Sequence, residues 1–400
     1  MREYDKFRFD YTAGAIRYGT GSAARLSDEL GEQGYERALI VTGEAVGAND
    51  DVMNPVKDGL GERLAGVFAG TTPRKRLSSA ADALELARQV DADVLVAVGG
   101  GSSLDVAKGT SVLSTRSDTP EDAGAELAET GTIEMGEGDP LPIVAVPTTL
   151  AGADLSIVAG ISAAADNGLV DEDVGGGLSD PRLMPQATLH DPALFATTPK
   201  KILVGSAMNG FNKGLETVYS RHATPITDAT AAHGLKLMYR GLTELGDSEP
   251  TVEVLETISE GLLLVQYGIA RPGLTTLSFI HAFGHTLRDG FQIQQGTAHA
   301  VITPDALGYI FERVDGNRDL LADVFDVADA DEPTDAIVEA VAEMRDGLGL
   351  PSRLRELPGA DRSILRQIAE DTIDDGFMPN IPEGLNPSAD DIEEMLEGAW

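Results

Sequence analysis

Apolar residues recur through the first half of the chain in short unbroken runs, Ala38 to Val41, Val94 to Val98 and Ile143 to Val146. Runs of that length, rich in valine and isoleucine, suit strands that are covered on both faces. Between them the apolar spacing changes to that of a one-sided helix, as over Ala80 to Val90. This alternation predicts a parallel sheet covered by helices, with any nucleotide at the carboxyl ends of the strands. After Asp191 and Pro192 the pattern turns to long helical runs, Ala229 to Leu242, Thr251 to Ile269 and Ala336 to Asp346, with few strand candidates. Pro192 and Pro199 punctuate the change. The sequence therefore predicts an α/β domain with a parallel sheet over residues 1–192 and an all-α domain over 193–400. The acidic stretches 118–139 and 166–180 read as exposed loops, the second, with Gly175 to Gly177, compatible with a hairpin.

Three glycines mark the richest position. Gly99, Gly100, Gly101, Ser102 and Ser103 directly follow the strand ending at Val98 and open a helix-like run that contains Asp105 and Lys108. A strand turning through glycine into a helix N-terminus lets backbone N–H groups approach a pyrophosphate, aided by the positive end of the helix dipole. The spacing is not GxGxxG, so glycine needed for turn geometry alone is an equal reading at this point. Thr148 and Thr149 follow the strand ending at Val146 and place two hydroxyls at another strand end. They suit ribose, phosphate or an acidic substrate, with a capped turn as the plainer alternative. Farther on, His281 and His285 stand four residues apart and share a helical face, and His299 follows, so half of the 6 histidines fall in one short stretch. A lone histidine is more often a core residue; a pair at this spacing raises metal ligation or proton transfer.

Composition narrows the function classes. The 400 residues, 42% hydrophobic, can bury two cores. Thirty basic against 66 acidic residues give a net charge of −36, which argues against nucleic acid or an anionic membrane as a partner. The acids are dispersed, as on a solvated surface, and with arginine preferred to lysine they suggest adaptation to concentrated salt. The absence of cysteine excludes disulfides, thiolate nucleophiles and thiolate metal sites. Met1 to Asp10 is charged and lacks an apolar signal core, and no apolar run nears the roughly 20 residues that span a bilayer. These features read as a cytoplasmic protein.

The segments GGGSSLDVAK, PTTLAGADLS and HAFGH, with a Gln-Gly beginning fourteen residues after His281, resemble the iron-containing alcohol dehydrogenase superfamily. Within it, SDPRLMPQATLHDPALFATTP, SAMNGFNKGLE, TAHAVITPDALGY and NPSADDIEEMLEGAW are similar to the maleylacetate reductase branch. The resemblance implies a nucleotide-binding α/β domain followed by a helical domain that holds a divalent metal. It places the four metal positions at Asn209, Lys213, His281 and Gln295, of which only His281 keeps the usual ligand type. Neutral amides replace poorly for carboxylate and imidazole, and an ammonium repels Fe²⁺ or Zn²⁺, so no catalytic metal is expected. The branch itself is expected to carry asparagine at the first position and to work without metal, whereas Lys213 and Gln295 depart from its histidines.

The resemblance thus implies an NAD(H)- or NADP(H)-dependent reductase of a small, anionic oxo acid. Gly99 to Ser103 would hold the pyrophosphate, with Asp105 and Lys108 supporting the cradle. Thr148 and Thr149 would meet the nicotinamide half, with Leu155 in the same loop, and His285 would donate the proton. His281, Lys213, Gln295, Asn209 and His299 would surround and orient the substrate. Gly43 stands where an acid often disfavours a 2′-phosphate, and Arg74, Lys75 and Arg76 follow, so NADPH is permitted. A homodimer is also implied. The competing readings are a metal-dependent alcohol dehydrogenase using His281, His285, His299 and unmatched carboxylates, and a nucleotide-binding protein that has lost catalysis.

Overall fold

The computed structural model describes residues 7–9, 14–267, 269, 271, 274–291 and 293–400. Met1 to Lys6 and Asp10, on which the reading of the leader rests, lie outside these. Contacts divide the chain into two units, residues 12–198 and residues 199–400 with the first eleven. The short helix Pro192–Phe195 belongs with the first unit because Asp191 anchors it. The Asp191 carboxylate accepts from the N–H groups of Gly21 (3.0 Å), Ala23 (3.2 Å) and Ala193 (3.2 Å).

The first unit is built on β1 (Ala15–Tyr18), β2 (Ala38–Gly43), β3 (Leu64–Thr71), β4 (Val94–Gly99), β5 (Ile143–Pro147) and β8 (Ala187–His190), all parallel, in the order β1-β8-β5-β4-β2-β3. In register, Ala38 lies beside Val94 and Leu95 beside Ile143. Alternate residues feed two cores. Leu39, Val41, Leu95, Ala97, Ile143 and Ala145 pack on one face, and Ile40, Val94, Val96, Val98, Val144 and Val146 on the other. That double burial explains the uninterrupted apolar runs. Helices α1 (Leu26–Gln33), α2 (Asp50–Leu60), α3 (Leu77–Gln89), α4 (Gly101–Ser114) and α5 (Pro120–Thr130) complete the layers.

Helix α5 corrects the loop expected over 118–139. Thr119 caps it reciprocally with Asp122, and Pro120 occupies the first turn, so the acids there serve a helix start. In the 166–180 stretch, β7 (Val174–Ser179) pairs antiparallel with β6 (Val158–Ala163), which makes the hairpin real. The second unit, as its spacing predicts, is helical: α6 (Lys200–Tyr219), α7 (Pro225–Asp247), α8 (Val252–Tyr267), α9 (Phe279–Phe291), α10 (Gln295–Arg313) and α11 (Pro333–Gly347). No helix among the described residues is long and apolar enough to cross a membrane.

Candidate active site

In the first unit the strand order reverses between β2 and β4. Such a switch point is where an open α/β sheet takes its ligand. Here β4 turns into α4 through Gly99, whose φ is 131°; a Cβ on it would meet Ser103 Oγ at 2.8 Å. The N-cap, Gly100, has no side chain to satisfy the first turn, and among the described hydrogen bonds none takes the N–H of Gly101 or Ser102. Two open amides and a helix dipole at a switch point fit a diphosphate. The second loop closes against this turn: Thr148 N–H donates to Gly99 O at 3.0 Å, and a Cβ on Gly100 would stand 3.1 Å from the Thr149 methyl. Gly43 closes β2 beside Thr71.

Three residues that the sequence analysis sets at the cofactor, Lys108, Leu155 and Asp105, are buried in the protein. Lys108 is fully buried and its ammonium donates to the carbonyls of Ala153 (3.1 Å), Ser156 (2.7 Å) and Val158 (3.0 Å), pinning the loop after β5. Burial lowers its pKa to about 8. Leu155, in the same loop, is 2% exposed, so it packs inward and has almost no surface to offer a ligand. Asp105 pairs with Lys75 and accepts from Gly160 N–H at 3.2 Å. A further carboxylate, Asp154, accepts from His190 Nε2 (2.7 Å) and Thr188 Oγ1 (2.9 Å), tying the loop to β8.

In the helical unit Asn209, Lys213 and Glu216 follow one face of α6, and α9 brings His281 to them. Glu216 is fully buried. Its Oε1 accepts from the N–H groups of Ser278 (3.2 Å) and His281 (3.0 Å), and its Oε2 meets His281 Nδ1. Burial raises the Glu216 pKa to about 8, and burial followed by the Lys213 charge pushes His281 well below its ordinary value. His281 Nδ1 is hydrogen-bonded to the Glu216 carboxyl group, and its Nε2 lies 3.1 Å from Asn209 Oδ1. Glu216, which the sequence reading passed over, thus orients the ring of His281.

His299 packs its ring 4.5 Å from that of His281, centroid to centroid. It is fully buried, and neither ring nitrogen has a hydrogen-bond partner among the described residues. Burial, then the neighbouring cations, keeps it neutral. Its space exists because residue 284 is glycine: a Cβ there would lie 2.0 Å from His299 Nε2, and Gln295 Cγ is 3.2 Å from the same point. His285 stands one turn beyond His281, about a third exposed, with its Nδ1 3.0 Å from Asp375 Oδ2 and its ring 5.1 Å from that of Phe377. Burial works to raise Asp375, but the bonds from His285 and from Phe377 N–H outweigh it and hold the carboxyl below its usual range. An ionised carboxylate therefore orients His285. Asp375 is the second functional residue missing from the sequence reading, and no nearby motif marks it.

Chain-length comparisons give the lineage. The description "Iron-containing alcohol dehydrogenase" fits residues 13–192, and "Fe-containing alcohol dehydrogenase family, C-terminal" fits residues 203–400. The chain belongs to the iron-containing alcohol dehydrogenase family. As a member this dehydrogenase is an NAD(P)-dependent oxidoreductase. Maleylacetate reductase of Pseudomonas aeruginosa is 28% identical over 356 residues, covering 88% of this chain and 87% of that one. Two solved structures share the fold. Maleylacetate reductase from Agrobacterium tumefaciens has a TM-score of 0.79 at 21% identity, over 99% of both chains. Sulfoacetaldehyde reductase from Bifidobacterium kashiwanohense, in complex with NAD+, has 0.84 at 21%, over 98% of this chain and 99% of that one.

The metal that the family name implies meets an unsuitable donor set in this dehydrogenase. Two of the four positions are neutral amides and the third is an ammonium. The imidazole at the fourth is already engaged on both sides, by Glu216 and by Asn209. Among the described residues no three histidine, aspartate or glutamate side chains converge on one point. An ammonium beside such a cluster opposes a divalent cation, so the residues present do not fit one.

Proposed function

We propose that this enzyme is a metal-independent reductase of a small anionic oxo acid, of the kind maleylacetate represents. The observation that carries the proposal is Lys213: a buried ammonium, 8% exposed, in the polar cluster of Asn209, Glu216 and His281, where the family resemblance places a metal ligand. Bound at the glycine turn, the reduced nicotinamide supplies hydride. Lys213 then supplies the positive charge that a developing oxyanion or a substrate carboxylate requires. His285, oriented by Asp375, donates the proton that completes the reduction. Glu216 holds His281 so that its ring and Asn209 form a fixed, electrically neutral wall beside that cation. The relationship to maleylacetate reductases supports the substrate class, and the donor chemistry supports the lack of a metal requirement.

The decisive test follows NADH and NADPH oxidation with maleylacetate and with simple aldehydes, before and after exhaustive chelation. The proposal expects turnover of the oxo acid to survive chelation. Stoichiometric iron or zinc whose removal abolishes turnover would replace it with a metal-dependent alcohol dehydrogenase. His285→Ala should lower kcat by roughly 10²- to 10⁴-fold, the usual worth of a positioned proton donor, while NADH still binds.

A further inference from the structure

Helix α9 presents three faces to its surroundings. Phe283, Leu287 and Phe291 go to the core, at most 3% exposed. Thr286 and Gly290 go to the helix Leu365–Ile373: Thr286 Oγ1 lies 2.8 Å from Thr372 Oγ1, and a Cβ on Gly290 would meet Ile368 at 3.2 Å. The third face carries His281, Gly284, His285 and Arg288, spaced i, i+3, i+4 and i+7. Its first three members belong to the candidate site already described. Arg288 is the fourth, one turn beyond His285 and about 5 Å farther along the helix axis.

Arg288 is 40% exposed, so a ligand can reach it. Its fork holds the neighbouring Asp289, at 2.8 Å from Nε and 3.2 Å from Nη2, and that carboxylate is 68% exposed. An exposed ion pair between sequence neighbours contributes little to stability. It does show the fork engaging a carboxylate through two donors, which arginine offers and lysine does not. The charge of Arg288 also reaches the site. Burial first, then the charges of His281, His285, Lys213 and Arg288, keep His299 neutral, and His299 fills the space over Gly284. The described carboxylates that meet this face are Glu216 and Asp375, each engaged by a histidine, and the exposed Asp289. A chain with 66 acids against 30 bases thus brings an ammonium, two imidazoles and a guanidinium to one seam, surroundings that suit an anionic ligand.

Resting on the oxo-acid reading above, we infer that Arg288 binds a carboxylate of the substrate, one turn of α9 beyond the proton-donating His285, and so selects acids over uncharged carbonyl compounds. The test measures kcat and KM for maleylacetate and for an uncharged aldehyde of similar length in the parent, Arg288→Met, Arg288→Lys and Asp289→Asn. A charge-assisted hydrogen bond made alike in the ground and transition states shows in KM. Arg288→Met should therefore raise KM for the acid roughly 10- to 100-fold with kcat little changed, and leave the aldehyde as in the parent. Arg288→Lys keeps the charge without the planar fork and should fall between. Asp289→Asn removes the surface pair alone and should not raise KM. An unchanged acid KM in Arg288→Met, an equal loss with both substrates, or the same rise in Asp289→Asn overturns the inference and leaves the guanidinium to its surface pair. A parent that reduces aldehydes and not maleylacetate instead overturns the oxo-acid reading. Should Arg288→Met not fold, Arg288→Lys carries the same comparison.

Discussion

Replacing Lys108 by methionine keeps the length of the side chain and deletes its ammonium. Three carbonyls, at 3.1, 2.7 and 3.0 Å, lose their donor in a part-buried loop. Each buried acceptor left unsatisfied costs about 1–3 kcal/mol, so the gross loss is about 6 kcal/mol. Against this, the variant no longer buries an ammonium. The drop in its pKa from 10.5 to about 8 corresponds to roughly 3 kcal/mol of relief. The net destabilisation is about 3 kcal/mol. For a unit of this size that lowers its melting temperature by roughly 6–12 °C. Calorimetry at pH 7 measures the shift, and hydrogen exchange at Ala153 to Val158 should show the loop opening first. A second readout follows from the sign of the linkage. Between pH 8 and 10.5 the unfolded chain holds a proton that the folded one has released, so stability of the parent rises with pH across that window. The variant lacks that rise. A melting temperature within 2 °C of the parent, or an identical pH slope, would refute the clamp.

Gly99→Ala forces a Cβ to 2.8 Å from Ser103 Oγ at a φ of 131°; NADH affinity measured by fluorescence titration should fall at least tenfold. Burial works to raise Asp154, but His190 and Thr188 outweigh it and hold its pKa at about 2. The pair therefore stabilises the fold fully above about pH 4, and this contribution, about 2 kcal/mol, is lost as pH falls from 4 to 2. Asp154→Asn should flatten that segment of the acid-unfolding curve. With a net charge of −36, the melting temperature should climb with added potassium chloride; a salt-independent value would count against adaptation to brine.

Much of the architecture is visible in the chain because it is written in period. Ile40 beside Val41, or Val96 beside Ala97, have to be apolar in succession since the two sheet faces are both covered. The loops were harder. Residues 118–139 are acidic enough to suggest open coil, yet Thr119 and Asp122 are a helix-start signal whose meaning depends on spacing, not on composition. The glycine turn could be located but not separated from a merely tight bend until Gly101 and Ser102 were seen with open amides at the switch between β2 and β4. In the helical unit Asn209, Lys213 and His281 could be placed from motif order. Glu216 continues the same face, three residues past Lys213, and could have been found by extending that spacing. Asp375 could not. Its role comes from a segment that lies far from His285 in sequence and meets it only through tertiary packing.

The hollow over Gly284 restricts how this pocket can change. Any side chain at 284 would occupy the volume of the His299 ring, so the two positions form a lock that opens in one direction. A Cβ at 284 and an imidazole at 299 exclude one another, so alanine at 284 displaces the ring. Building a metal site by changing Asn209, Lys213 and Gln295 alone would therefore leave a fourth, unmarked constraint in the residue behind them.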